Sequence, residues 1–149
     1  MSLRNPVRFP ISLLIWLALI VTGCGGPSQQ KILPQDNPTF GPHDGPVGAL
    51  PNGGAFEVAT EPAGNQTRLV VYFYASSEFQ APLSPAPTDV SIDLAMPGNE
   101  SQSVFLSPTN GNTSRFASDP GDYLFDPLSG SLNANLAGEA ISARFSNAQ

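Results

Sequence analysis

One histidine, one cysteine and twelve carboxylates are the chemically versatile side chains of this 149-residue chain. His43 stands in Pro42-His43-Asp44-Gly45. A histidine that activates a nucleophile needs a rigid scaffold holding both partners within hydrogen-bond reach. The Pro/Gly-rich surroundings promise no such scaffold, so His43 is expected to be a solvated loop residue. Zinc and copper centres draw on several His or Cys ligands, and Cys24 and His43 each occur once. Calcium needs six to eight oxygens. Asp119, Asp122 and Asp126, with Asn110 and Asn112 close in sequence, form the one oxygen-rich cluster, but their spacing matches no calcium loop and reads as turn chemistry. Asp89 and Asp93 fall on one face of an extended strand. Paired carboxylates could hydrolyse glycosidic bonds, but this face is the polar outer one and implies no cleft. Tyr72, Tyr74 and Phe79 form an aromatic cluster that could meet a partner or pack between sheets. No catalytic, cofactor or metal site is expected, and the chain reads as a non-enzyme.

The elements that must position these residues alternate with period two. Val90, Ile92, Leu94 and Met96 alternate with Asp89, Ser91, Asp93 and Ala95; Leu132, Ala134 and Leu136 with Asn133, Asn135 and Ala137; Ile141, Ala143 and Phe145 with Ala140, Ser142 and Arg144. Each is a half-buried strand. Phe56 and Val58 flank Glu57 in an earlier strand. Residues 69–74 are apolar on both faces and rich in β-formers, which predicts a central strand with Tyr72 and Tyr74 opposite Leu69, Val71 and Phe73. Segments 103–107 and 114–117 complete the set. Turn residues separate them at 62–65, 97–99, 110–112 and 119–122, and Ala137-Gly138-Glu139 predicts a tight hairpin. Residues 81–87, with Pro82, Pro85 and Pro87, predict a crossover between sheets, and Tyr123 to Leu128 could form a single helical turn. The predicted fold is all-β: a small antiparallel, immunoglobulin-like β-sandwich of six or seven strands over residues 55–147.

Ahead of it, thirteen of the thirty residues from Gly25 to Gly54 are Pro or Gly. Such a segment buries too little apolar surface to offset its ordering entropy. It is expected to be a disordered stalk, reaching roughly 30 Å as a coil and about 90 Å as polyproline II. Whether Phe40, Val47 and Leu50 dock on the domain is left open by the sequence.

The amino-terminal segment has the layout of an export signal. Arg4 and Arg8 precede an uncharged apolar run from Ile11 to Thr22, shorter than the roughly 20 residues a spanning helix needs. Val21-Thr22-Gly23-Cys24 resembles the lipobox of bacterial lipoproteins. The resemblance implies cleavage before Cys24, diacylglycerol on its sulfur and an acylated new amino terminus. Residues 1–23 are then a signal peptide, and 24–54 the lipidated cysteine with its linker. Gly25, where an Asp would mark inner-membrane retention, directs the expectation to the outer membrane, with the domain facing the periplasm. Two or three acyl chains hold a protein on a bilayer stably, whereas one does so marginally.

From Gly53 to Phe145 the layout resembles a group of small bacterial envelope lipoproteins of uncharacterised function. It rests on Gly53-Gly54 before a first strand, the 69–74 strand, Asp93-Leu94, Ser114-Arg115-Phe116 and the ending 138–145. Some members carry a histidine-glycine element and further histidines, which implies metal handling; Pro42-His43-Asp44-Gly45 keeps one histidine of that pattern.

After Cys24 four Lys and Arg (Lys31, Arg68, Arg115, Arg144) face twelve Asp and Glu, a net charge of −8. That charge keeps the domain soluble and unsuited to a phosphate backbone. The expected function is a lipid-anchored, non-enzymatic envelope protein, with the membrane and an envelope protein as partners and no nucleic acid. The alternative is a periplasmic metal or small-ligand carrier serving a transport system.

Overall fold

The computed structural model describes residues 31–33, 40–109 and 111–147. Ten strands lie in two five-stranded sheets. The first contains β1 (Lys31–Leu33), β5 (Thr88–Met96), β6 (Glu100–Phe105), β9 (Ser129–Leu136) and β10 (Glu139–Ser146), in the order β1-β10-β9-β5-β6. The second contains β2 (Val47–Ala49), β3 (Ala55–Ala63), β4 (Gln66–Tyr74), β7 (Ser107–Thr109) and β8 (Asn112–Ala117), in the order β2-β3-β4-β8-β7. All neighbours are antiparallel except β1, which runs parallel to β10. The all-β sandwich expected from the alternating pattern is therefore the fold: residues 55–147 hold eight strands rather than six or seven, and β1 and β2 add two more among the described residues.

Each inward set matches its period. Val90, Ile92 and Leu94 of β5, Leu132 and Ala134 of β9, and Ile141, Ala143 and Phe145 of β10 are buried against Phe56, Val58, Leu69, Val71, Phe73 and Phe116. Phe56 meets Phe145 edge-on at 6.3 Å between ring centres, and Phe73 meets Phe116 at 5.5 Å. Fully burying side chains of this size contributes roughly 1.5–3 kcal/mol each. Strand β4 is central in its sheet and apolar on both faces, as its composition requires. The β9–β10 connection is a two-residue turn with positive φ at Ala137 (52°) and Gly138 (91°). This combination matches the twist of the flanking strands. Residues 81–87 lie between β4 and β5 and carry the chain from one sheet to the other. Among the described residues there is no helix, and 123–128 is irregular.

One expectation needs correction. The segment read as a disordered stalk up to Gly54 contributes β1 to one sheet and β2 to the other, and Val47 and Leu50 are buried. The folded unit thus starts well before residue 55. Between residues 40 and 54 most of the prolines and glycines lie in or beside tight turns against the sheet. Asp89 and Asp93 lie off the core as expected, exposed and half-buried beside buried Val90, Ile92 and Leu94, although the register shifts between Thr88 and Ser91 and Asp89 takes a φ of 53°. Asp93 accepts hydrogen bonds from the Ser103 hydroxyl and from Asn133 Nδ2 (2.8 Å) on the flanking strands.

Candidate functional site: a histidine clasped to a buried carboxylate

Strand β3 reads Ala55-Phe56-Glu57-Val58-Ala59, a run with one charge in it, and every one of these residues is buried. Glu57 has no exposed surface. Burying a carboxylate without partners costs many kcal/mol, so donors must surround it. They come from Tyr74 on the neighbouring strand β4 and from the loop between Phe40 and Pro46, which folds over the outer face of the second sheet. Glu57 Oε1 accepts the backbone N–H of His43 (2.7 Å) and of Gly45 (3.0 Å). Glu57 Oε2 accepts the Tyr74 hydroxyl (3.1 Å) and lies 2.8 Å from His43 Nδ1.

The loop sequence explains why it can do this. Gly41 N–H donates to the Gly45 carbonyl (2.9 Å), Asp44 N–H to the Gly41 carbonyl (3.1 Å) and Val58 N–H to the Pro46 carbonyl (3.0 Å). Pro42 and Pro46 have no N–H. Every backbone donor from 41 to 46 is therefore spent, two of them on the carboxylate. Gly45 is required sterically: a Cβ there would collide with the Val58 carbonyl. Asp44 takes the left-handed conformation (φ 60°) that Asp tolerates better than most residues.

The geometry assigns the histidine tautomer. Glu57 Oε2 is an acceptor, so Nδ1 at 2.8 Å must carry the proton. In the neutral imidazole Nε2 then carries the lone pair, on the far side of the ring from the carboxylate. The imidazole lies flat on the Tyr72 ring, 3.7 Å between centres with 2° between planes. Its side chain remains 43% exposed. It is thus a fixed acceptor at the rim of a cleft of about 430 Å³, whose walls include Val58, Thr60, Tyr123, Phe125, Asp126 and Asn147. Such a nitrogen can accept a hydrogen bond or a proton, or donate its lone pair to a cation.

A second polar group continues along the same face. Arg115 Nη2 sits 2.6 Å from Glu61 Oε2, and Arg115 Nη1 donates to Thr109 Oγ1 (2.8 Å). The Tyr72 hydroxyl donates to Glu61 Oε1 (2.7 Å), and the guanidinium carbon lies 5.6 Å from the Tyr72 ring centre. Partial burial would raise the Glu61 carboxyl, but hydrogen bonds from Arg115 and Tyr72 outweigh it and hold the group below its ordinary value. Burial, then the neighbouring Glu57 charge, pushes the Tyr74 phenol far up; burial also raises Tyr72.

His43 is therefore not the solvated loop residue expected; its partners are in the sheet, fourteen residues on. The Tyr72, Tyr74, Phe79 cluster divides: Tyr72 stacks under His43, whereas Tyr74 contacts Phe79 edge-on at 5.1 Å. The two-residue alternation puts Glu57 between Phe56 and Val58 without marking it as a site, yet a lone Glu within an otherwise apolar β-run is the signal that a buried charge needs donors elsewhere. Cys24 and Asn110 lie outside the described residues. Among the described residues, no three of His, Cys, Asp and Glu converge as metal ligands. No family model, no curated protein and no solved structure matches the chain.

Proposed function

We propose that this protein is a lipid-anchored envelope lipoprotein, tethered through acylated Cys24, whose β-sandwich is a non-enzymatic binding module. The observation that carries the reading is Val21-Thr22-Gly23-Cys24 at the end of a short apolar run preceded by Arg4 and Arg8. The acidic domain and the rigidly held His43 support a module that recognises a partner through a fixed surface. A recognition surface gains affinity when its side chains are locked before contact, and Glu57 and Tyr72 lock this imidazole.

Mass spectrometry of the mature protein tests the anchor, and the expected product begins at Cys24 with acyl groups attached. Cys24→Ala should leave the membrane fraction; a variant that still partitions wholly with membranes defeats the reading. Cross-linking in detergent-solubilised envelope, with wild type beside His43→Ala, tests the module: the partner band should weaken in the variant.

The cleft beside His43 favours a second reading, a small-ligand carrier serving a transport system. Calorimetry of the purified mature protein with zinc, copper and calcium salts decides its metal branch. Heat that disappears in His43→Ala would support it, and no heat with any ion would remove it.

A further inference from the structure

We propose that the β9–β10 hairpin end of the sandwich faces the lipid surface and that the cleft beside His43 faces away from it. The inference rests on the anchor at Cys24 and concerns how that anchor presents the domain. The chain after the anchor joins the fold at β1, far sooner than a stalk running to Gly54 would allow. Lys31 pairs with Ile141, Ile32 with Ser142 and Leu33 with Ala143, in parallel with β10. The chain therefore enters beside the start of β10, next to the Ala137-Gly138 turn, and runs toward Asn147. The cleft lies at the opposite end, where Asn147, Asp126 and Leu128 help to form it.

Seven residue steps separate Cys24 from Lys31. They span at most about 25 Å and roughly 15 Å as a coil. Ile141 and Asn147 are six residues apart along an extended strand, about 20 Å. With the hairpin end down, the tether needs no extension. With the cleft end down, Lys31 would stand about 20 Å above the surface, and the tether would have to stretch well beyond its coil length.

The test uses the full mature protein in vesicles. Cys24 is the chain's single cysteine and is consumed by the anchor, so an introduced thiol is a unique label site. Ala140→Cys and Ser101→Cys place a fluorophore on exposed strand positions near the two ends of the first sheet. Vesicles carry a quencher on the lipid headgroup, and a melting curve like the wild type's qualifies each labelled protein. Quenching should be several-fold stronger at position 140 than at 101. Inserting about a dozen Gly and Ser residues between Ser28 and Gln29 lengthens the coil reach to roughly 24 Å and should nearly abolish the difference. Equal or reversed quenching in the unextended protein overturns the proposed orientation while leaving the anchor intact. A difference that survives the insertion overturns the tether as its cause. Protein that does not float with the vesicles, or carries an unmodified Cys24, refutes the anchor itself and the orientation with it.

Discussion

Glu57 and Glu61 stand four residues apart on the same face of β3, and the chain treats them differently. Glu57 is sealed under residues 41–46 with two backbone amides, a phenol and an imidazole on its oxygens. Glu61 sits at the open end of the strand with 34% of its side chain exposed and answers to Arg115 and the Tyr72 hydroxyl. Neutral dipoles and one imidazole satisfy the buried group; a full opposite charge satisfies the exposed one. The comparison teaches where stability resides. A partly exposed ion pair is worth about 0–1 kcal/mol because water screens it. Removing the acceptor from a buried network strands several donors, each at a cost of about 1–3 kcal/mol. The clasp also does what the ion pair cannot: it fastens a distant, Pro/Gly-rich loop to the sheet and orients the one histidine.

The sharpest way to break the comparison is Glu57→Ala, which should cost about 3–5 kcal/mol in denaturant unfolding, with Glu57→Gln intermediate because one oxygen remains. Arg115→Ala at the exposed pair should cost no more than about 1 kcal/mol and lose most of that effect in high salt. Similar losses for the two substitutions would erase the distinction.

Tyr74→Phe comes next, at about 1.5–3 kcal/mol, the usual worth of a hydrogen bond to a charged group. It also has a pH signature. The folded protein raises the Tyr74 phenol above its ordinary value of 10.0. Its contribution is therefore complete below pH 10 and is lost as pH rises above it, because the unfolded chain ionises first. Wild-type stability should fall above about pH 10, and this fall should be shallower in Tyr74→Phe. Tyr72, also raised, accounts for what remains.

His43→Ala should cost less, roughly 1 kcal/mol, because the His43 and Gly45 amides still reach Glu57 Oε1. The smallest effect is on the acid side. Glu61 titrates below its ordinary 4.5, so its contribution is present above that value and lost as pH falls beneath it. Arg115→Ala should flatten that acid slope slightly, measured by thermal unfolding across pH 3 to 6 (roughly the carboxylate range).

Most of the sandwich was legible because its strands obey a strict two-residue alternation. Leu132/Ala134 and Ile141/Ala143/Phe145 declare their inner faces, and Ala137-Gly138 declares its turn. The clasp was not legible for a physical reason. Composition measures what a segment can bury on its own, and among residues 41–46 Pro46 is the one buried apolar side chain. What orders them is a set of amide hydrogen bonds to one carboxylate, and that carboxylate lies in β3, across a gap of twelve to fourteen residues. Strand β1 escaped for the same reason: three residues on a sheet edge gain their order from β10, not from their own pattern. The single available clue was Glu57 itself, an isolated charge among Ala55, Phe56, Val58 and Ala59.

The central claim is that residues 40–46 belong to the folded domain and close over Glu57. Amide hydrogen exchange at His43 and Gly45 in the mature protein tests it most directly. Both amides should be protected to an extent approaching the domain's core strands, and both should lose that protection in Glu57→Ala under conditions where β4 stays protected. Exchange at unstructured rates in the wild type would contradict the clasp.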